Sequence, residues 1–209
     1  MNGAASAYSA AMRADAGGPT RIEIAAVYGA ATPPGKLALA LETALEAVAA
    51  DSSVVVSRVD LNAEPLAIAG AVPPGEDAVA QKAVETVGRA DGAVIASPVY
   101  RGSFPGVLKN LLDVLPVEAL RGKPVALVVV GATSHHYLGV DRHLRDVLAW
   151  FGALPLPVSV YLTSDDFGES GIAPAAAEEL RELADALIGL ARVTRDGPAG
   201  PPPLAARHG

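Results

Sequence analysis

The chain contains no cysteine. Disulfides, thiolate zinc sites and cysteine nucleophiles are therefore excluded, and the composition fits a reducing compartment such as the cytoplasm. Aromatics are scarce: one Trp, five Tyr and three Phe among 209 residues. Positive charge is also short, with 16 Lys and Arg against 23 Asp and Glu and a formal net charge of −7. A nucleic-acid surface needs the opposite balance. An anionic ligand would have to be held by local groups rather than by the overall field. No apolar run reaches the roughly 18 residues of a membrane helix, so a protein off the membrane is expected. Residues 1–19 hold one basic side chain, Arg13, and no apolar stretch like that of a secretory signal.

What is present is a hydrophobic fraction of 51%, too high for a disordered chain. Residues 1–19, with Gly17-Gly18-Pro19, read as a flexible N-terminal tail. Residues 194–209, with Gly197-Pro198, Gly200 and Pro201-Pro202-Pro203, read as a flexible C-terminal tail. One domain of residues 20–193 lies between them, with no linker-like stretch inside.

Strand and helix signals alternate along that domain. Short β-branched or fully apolar runs predict strands over 22–27, 54–59, 92–96, 124–130 and 157–162. Helical spacing predicts helices over 37–50, 77–90, 107–115, 140–151 and 174–193. Asp77 and Ser103 are candidate helix caps. Such alternation implies βαβ units and a parallel sheet covered on both faces. The dinucleotide-binding strand order and the flavodoxin-like order 2-1-3-4-5 are both compatible. In either, ligands bind beyond the carboxyl ends of the strands, where the strand order reverses. The loops after the first, third and fourth strands are the places to look.

The first loop runs from Tyr28 to Lys36 into a helix, whose N-terminus favours a phosphate. It is not the dinucleotide fingerprint, because glycine does not follow Gly29 at the second and fifth positions. It is not a Walker A loop, because Ala30 and Leu37 replace the required Gly and Ser or Thr. An ordinary βα turn stiffened by Pro33 and Pro34 is the alternative. The second loop, Ser97-Pro98-Val99-Tyr100-Arg101-Gly102-Ser103-Phe104-Pro105-Gly106, packs two prolines, two glycines and two aromatics between a strand and a helix. A flat conjugated ligand needs such a stiff, partly apolar ledge. Tyr100 and Phe104 would stack on it or wall it; the alternative is that both pack into the core. Gly102 would permit close approach, and Arg101 would attract nucleotide phosphates at the rim or simply be an exposed charge. The third loop is Gly131-Ala132-Thr133-Ser134-His135-His136-Tyr137. Adjacent histidines converge poorly on one ion, so no metal is expected. Asp141 and Arg142 read as an exposed helix face, and His143 and His208 as incidental.

Ser97-Pro98-Val99-Tyr100 followed by Gly106 to Asp113 resembles the Ser/Thr-Pro-x-Tyr and Gly-x-Leu-Lys-x-x-Leu-Asp signature of the NADPH-dependent FMN reductase family. Leu111 to Pro116 is similar to a Leu-Leu-Asp-x-Leu-Pro segment of its members in two-component alkanesulfonate monooxygenase systems. The resemblance covers roughly residues 22–193. It implies a flavodoxin-like five-stranded parallel sheet of order 2-1-3-4-5 and hydride transfer from NADPH or NADH to flavin N5. It further implies FMN as cofactor or substrate, a flavin-dependent monooxygenase as partner, a homodimer or homotetramer, and no catalytic side chain. The flavin would meet Pro98, Val99, Tyr100, Arg101, Gly102, Ser103 and Phe104, the backbone N–H groups of Gly131, Ala132 and Thr133, and His136, which falls on a family histidine. Position 104 is where the alkanesulfonate-type members carry an aromatic in a π-bulge at their tetramer interface. The family's phosphate loop, Gly-Ser-x-Arg-x-x-Ser-x-Ser/Thr, is not matched. Aligned from Gly29, its polar positions hold Ala30, Thr32, Gly35 and Leu37. Thr32, Lys36 and backbone N–H groups remain, so FMN is expected as a substrate or a weakly bound group. The alternatives are a quinone or azo reductase with bound FMN, and a flavodoxin-like binding protein that has lost flavin.

Overall fold

The computed structural model describes residues 21–73, 75–169, 171–197, 200–201 and 203. Most elements match the expected order. Strands are β1 (Ile22–Tyr28), β2 (Val54–Asp60), β3 (Gly92–Pro98) and β4 (Pro124–Val130). Helices are α1 (Lys36–Ala49), α2 (Ala78–Arg89), α3 (Gly106–Val114), α4 (Tyr137–Phe151) and α5 (Pro174–Thr194). All main-sheet pairings are parallel, in the order β2-β1-β3-β4 and then the outer edge.

Strand side chains alternate between two cores, as a period of two requires. Ile24, Ala26 and Tyr28 face a core closed by α1 and α5. Ala25 and Val27 face a core closed by α2, α3 and α4. Covered on both faces, β1, β3 and β4 are nearly continuous runs of buried residues. At the amino ends of the strands, the Glu23 carboxylate accepts from Arg89 at 2.8 Å and from the Ser57 hydroxyl at 2.7 Å. Burial opposes ionisation of Glu23, but these bonds outweigh it and hold its carboxyl below the ordinary value.

Asp77 caps α2, accepting from Val79 N at 2.9 Å and Ala80 N at 3.1 Å. Ser103 caps nothing. Helix α3 begins at Gly106 behind Pro105 and has no side-chain cap. No π turn occurs among the described residues, and Phe104 lies ahead of α3, half-buried against the second core. Pro105, fixed at φ −67 with no N–H to donate, sets the helix start beyond the aromatic. The fifth strand, expected over 157–162, is shorter and is preceded by an unexpected two-residue strand. β5 (Leu154–Pro155) and β6 (Val160–Leu162) both pair with β4, and the segment between them contains Pro157. Proline removes a ladder donor, which confines it to such interrupted edges. A hairpin of β7 (Phe167–Gly168) and β8 (Gly171–Ile172) precedes α5.

The proposed N-terminal tail lies outside the described residues. In the proposed C-terminal tail, Thr194 ends α5, and Pro203 sits close enough to Gly152 that an added Cβ would meet its ring at 3.3 Å.

Candidate functional site

β1 is hydrogen-bonded to β2 on one side and to β3 on the other, so the chain reverses direction across the sheet there. Beyond the carboxyl ends at such a switch point lies the crevice where parallel α/β folds bind ligands. The loops after β1, β3 and β4 meet around it.

The first loop is drawn tightly onto the sheet. Gly29 N donates to Ala96 O at 2.8 Å. A Cβ at Gly29 would stand 2.7 Å from that oxygen and 2.9 Å from Leu108 Cδ2, so only glycine fits. Ala30 is fully buried and offers a ligand no surface. The Tyr28 hydroxyl donates to the Thr32 carbonyl at 3.3 Å, and burial pushes its pKa up, which keeps it a donor. Helix α1 then starts behind Gly35 with no side-chain cap and no acidic residue in its first turn. Its N–H groups thus have no side-chain oxygen, an arrangement suited to an external anion. Lys36 is exposed, with its ammonium 5.5 Å from the centre of the Phe167 ring.

The second loop is a tight hairpin. Tyr100 N donates to Ser103 O at 2.7 Å and Ser103 N returns to Tyr100 O at 3.0 Å. Between them Arg101 has φ 54 and Gly102 φ 75, the left-handed pair of a type I′ turn. Gly102 therefore serves the turn. The two aromatics divide: Tyr100 is 45% exposed on the hairpin, whereas Phe104 turns inward. The N–H of Val99 is taken by Val130 O at 3.0 Å. Val99, Tyr100 and Ser103 accordingly have no backbone donor left for a flavin. Pro98 and Val99 are half-buried, and Arg101 is exposed at the tip.

Helix α4 supports that tip from below. A Cβ on Gly139 would come within 2.5 Å of Gly102 O. His143 Nδ1 lies 3.0 Å from Ser103 Oγ. His143 is thus engaged with the loop rather than incidental. Asp141 also departs from the exposed face expected for it. Its side chain is 13% exposed and pairs with Arg145 at 2.8 Å. His208 lies outside the described residues.

The third loop leaves β4 at Gly131, which is buried and donates its N–H to Leu162 O at 2.9 Å. That donor is spent within the sheet. The N–H groups of Ala132 and Thr133 make no hydrogen bond among the described residues. Tyr161 of β6 passes directly over Gly131, where any Cβ would collide with its hydroxyl. That hydroxyl donates to the Thr133 carbonyl at 2.7 Å, and burial pushes its pKa up. The Tyr137 ring meets Tyr161 edge-on at 6.0 Å. His135 and His136 are exposed in a 3-10 turn, Ser134–His136, that leads into α4. No group of three or more His, Asp or Glu converges among the described residues.

The result is a crevice with an open helix N-terminus at one end, an exposed tyrosine on a stiff hairpin at its middle and two open N–H groups at the other. Sequence reasoning missed Tyr161, Gly139 and the role of His143. A lone tyrosine in an apolar edge strand was the available signal, since a buried phenol needs a hydrogen-bond partner.

The family model for NADPH-dependent FMN reductase matches residues 22–167. The chain is 37% identical over 147 residues to an FMN reductase (NADPH) of Pseudomonas aeruginosa, covering 69% of this chain and 78% of that one. It is 30% identical over 174 residues to the NADH-dependent FMN reductase SfnE of Pseudomonas putida, covering 82% and 93%. The apo form of an NADH:FMN oxidoreductase (EMOB) superposes with a TM-score of 0.69 at 27% identity, covering 79% of this chain and 88% of that one.

Proposed function

The chain belongs to the NADPH-dependent FMN reductase family, and from that premise we propose that it reduces FMN with NADPH or NADH and releases the reduced flavin. The observation that carries this reading is the contrast within the crevice. The ring side is rigid, bounded by the Tyr100–Ser103 hairpin and the Gly131–Thr133 turn. The phosphate side has an uncapped helix and few side-chain donors. A flavin mononucleotide fits this shape: its phosphate at the start of α1, its ring along Tyr100, its pyrimidine edge at Ala132 and Thr133.

When bound, the flavin supplies the hydride acceptor, atom N5. The residues do the rest by position. Thr32, Lys36 and the first N–H groups of α1 hold the phosphate. Tyr100 walls the ring and limits water. The N–H groups of Ala132 and Thr133 face the edge where negative charge grows on reduction, which stabilises the reduced form. No protein base is required. Each charge-assisted hydrogen bond absent from the phosphate loop weakens the hold by about 1.5–3 kcal/mol. FMN therefore behaves as a diffusing substrate.

The same reading includes a separate flavin-dependent monooxygenase that consumes the reduced FMN, assembly into dimers or tetramers, and a cytoplasmic place. Among the described residues no helix is long and apolar enough to cross a membrane. The test is direct: purify the protein, note its colour, and follow NADPH and NADH oxidation with and without added FMN. Turnover that depends on added FMN supports the proposal. Yellow protein that reduces quinone without added flavin moves the reading to a flavin-holding quinone or azo reductase. No flavin binding by titration overturns both.

A further inference from the structure

A cavity of about 230 Å³ opens on the side of the phosphate loop away from the flavin-ring crevice. It lies between α1 and the carboxyl ends of β1 and β2. Two residues join it to the loop. Pro34 belongs to both, and Tyr28 lines the cavity while its hydroxyl holds the Thr32 carbonyl. A mononucleotide flavin with its phosphate on α1 would stop at the cavity's entrance. A ligand that continued beyond the phosphate would enter it.

The walls define what could enter. Ala38 and Leu41 of α1, with Ala26 of β1 beneath them, form an apolar floor of modest side chains, suited to a flat neutral ring. Arg58 and Glu42 form a two-pronged ion pair at 2.5 and 2.7 Å that cancels their charges along one wall. Asp60 stands at the end of β2. One of its carboxylate oxygens accepts from Asn62 N at 2.9 Å and Ala63 N at 3.1 Å, which fixes the side chain. The other makes no hydrogen bond among the described residues. A carboxylate in this place is how nucleotide-binding α/β folds accept ribose hydroxyls. It also repels a phosphate, which leaves the phosphates at the helix N-terminus.

We propose that this cavity is a nucleoside subsite that takes the adenosine end of a dinucleotide whose phosphates lie at the start of α1. That dinucleotide is FAD, whose flavin end shares the phosphate anchor; NADPH and NADH must reach the flavin while its own phosphate already occupies the start of α1. The proposal rests on the reductase reading for its phosphate anchor.

The adenosine end is tested first by itself. Adenosine 5′-monophosphate is titrated calorimetrically into the wild-type protein, Ala38→Leu and Asp60→Asn, with no flavin present. Circular dichroism and thermal unfolding first confirm that each variant is folded. Asp60→Asn keeps the oxygen that Asn62 and Ala63 use. The expected results are binding to wild type and at least tenfold weaker binding to Ala38→Leu. Wild type should also prefer the monophosphate to its 2′,3′-dideoxy analogue, a preference that Asp60→Asn loses. Steady-state kinetics then test FAD itself. A fivefold or greater rise in the FAD-to-FMN ratio of KM in Ala38→Leu is expected, with KM for NADPH and NADH unchanged when FMN is the acceptor. An unchanged FAD-to-FMN ratio overturns FAD as the occupant. No binding to wild type, or equal binding to wild type and Ala38→Leu, overturns the subsite. If FMN turnover is absent throughout, the reductase reading fails, while the titration still decides the subsite.

Discussion

Gly131 and Tyr161 act as one unit. The glycine leaves room for the phenol, and the phenol holds the Thr133 carbonyl. Gly131→Ala should cost about 1–3 kcal/mol, because an added methyl group meets a fixed hydroxyl. It should also raise KM for FMN by tilting Ala132 and Thr133. Tyr161→Phe alone leaves a carbonyl unpaired, at about 1 kcal/mol. In the double variant the nearest clashing atom is gone, although the ring carbon at 2.6 Å still crowds the methyl group, so the two losses should fall somewhat short of their sum. Denaturant midpoints for the four proteins measure this coupling. Arg101 offers a second test. An L residue in the left-handed region carries strain, here at φ 54. Arg101→Gly should stabilise the protein by about 0.5–1 kcal/mol after the added freedom of the unfolded chain is counted. It should raise KM for NADPH several-fold through loss of the rim charge. Stabilisation with unchanged NADPH kinetics would remove Arg101 from the site. The second loop was legible in the sequence because its prolines, glycines and aromatics are consecutive. His143 and Tyr161 were not, because they reach Ser103 and Thr133 from 40 and 28 residues away. No local pattern marks such a contact.

Among the elements, β4 was read over its full length and α2 was read with its cap. Each carries a signal that propensity and burial reinforce: an apolar run ended by Gly131 in one, Asp77 before helical spacing in the other. The start of α3 was read to within one residue, but its cap was not: Ser103 looks like a cap, while Pro105 decides where helical hydrogen bonding can begin. The fifth strand was expected from Pro157 because Val158 and Val160 give a β-branched pattern, whereas pairing resumes only at Val160, and the two-residue β5 before it went unread. Glu23 ties β1 to β2 through Ser57 and to α2 through Arg89. Its folded pKa lies below the ordinary 4.5. A lowered carboxyl pKa gives stability that is present above the unfolded value and lost as pH falls through the folded one. The unfolding free energy should therefore decline below about pH 4.5. Glu23→Gln should flatten that decline. At pH 7 it should cost no more than about 1 kcal/mol, because Arg89 is half exposed. Urea unfolding at a series of pH values checks both.

The whole molecule carries a net charge of −7 and is expected to act on anionic substrates. Long-range repulsion slows their approach, and salt screens it over a Debye length of about 10 Å at 0.1 M. The kcat/KM for NADPH should thus rise about two- to threefold between roughly 10 and 150 mM salt. A fall instead would mean that local cations such as Arg101 and Lys36 govern capture. At the outer margin of the sheet, β5 and β6 are short and offset, with Pro155 and Pro157 withholding two N–H groups where an incoming strand would seek them. A flat, unbroken margin would act as a seed on which further copies could stack, most of all while the chain is newly made and crowded. The interruption denies them a template. Abundant synthesis of this protein is thereby less exposed to fibre growth from its own sheet.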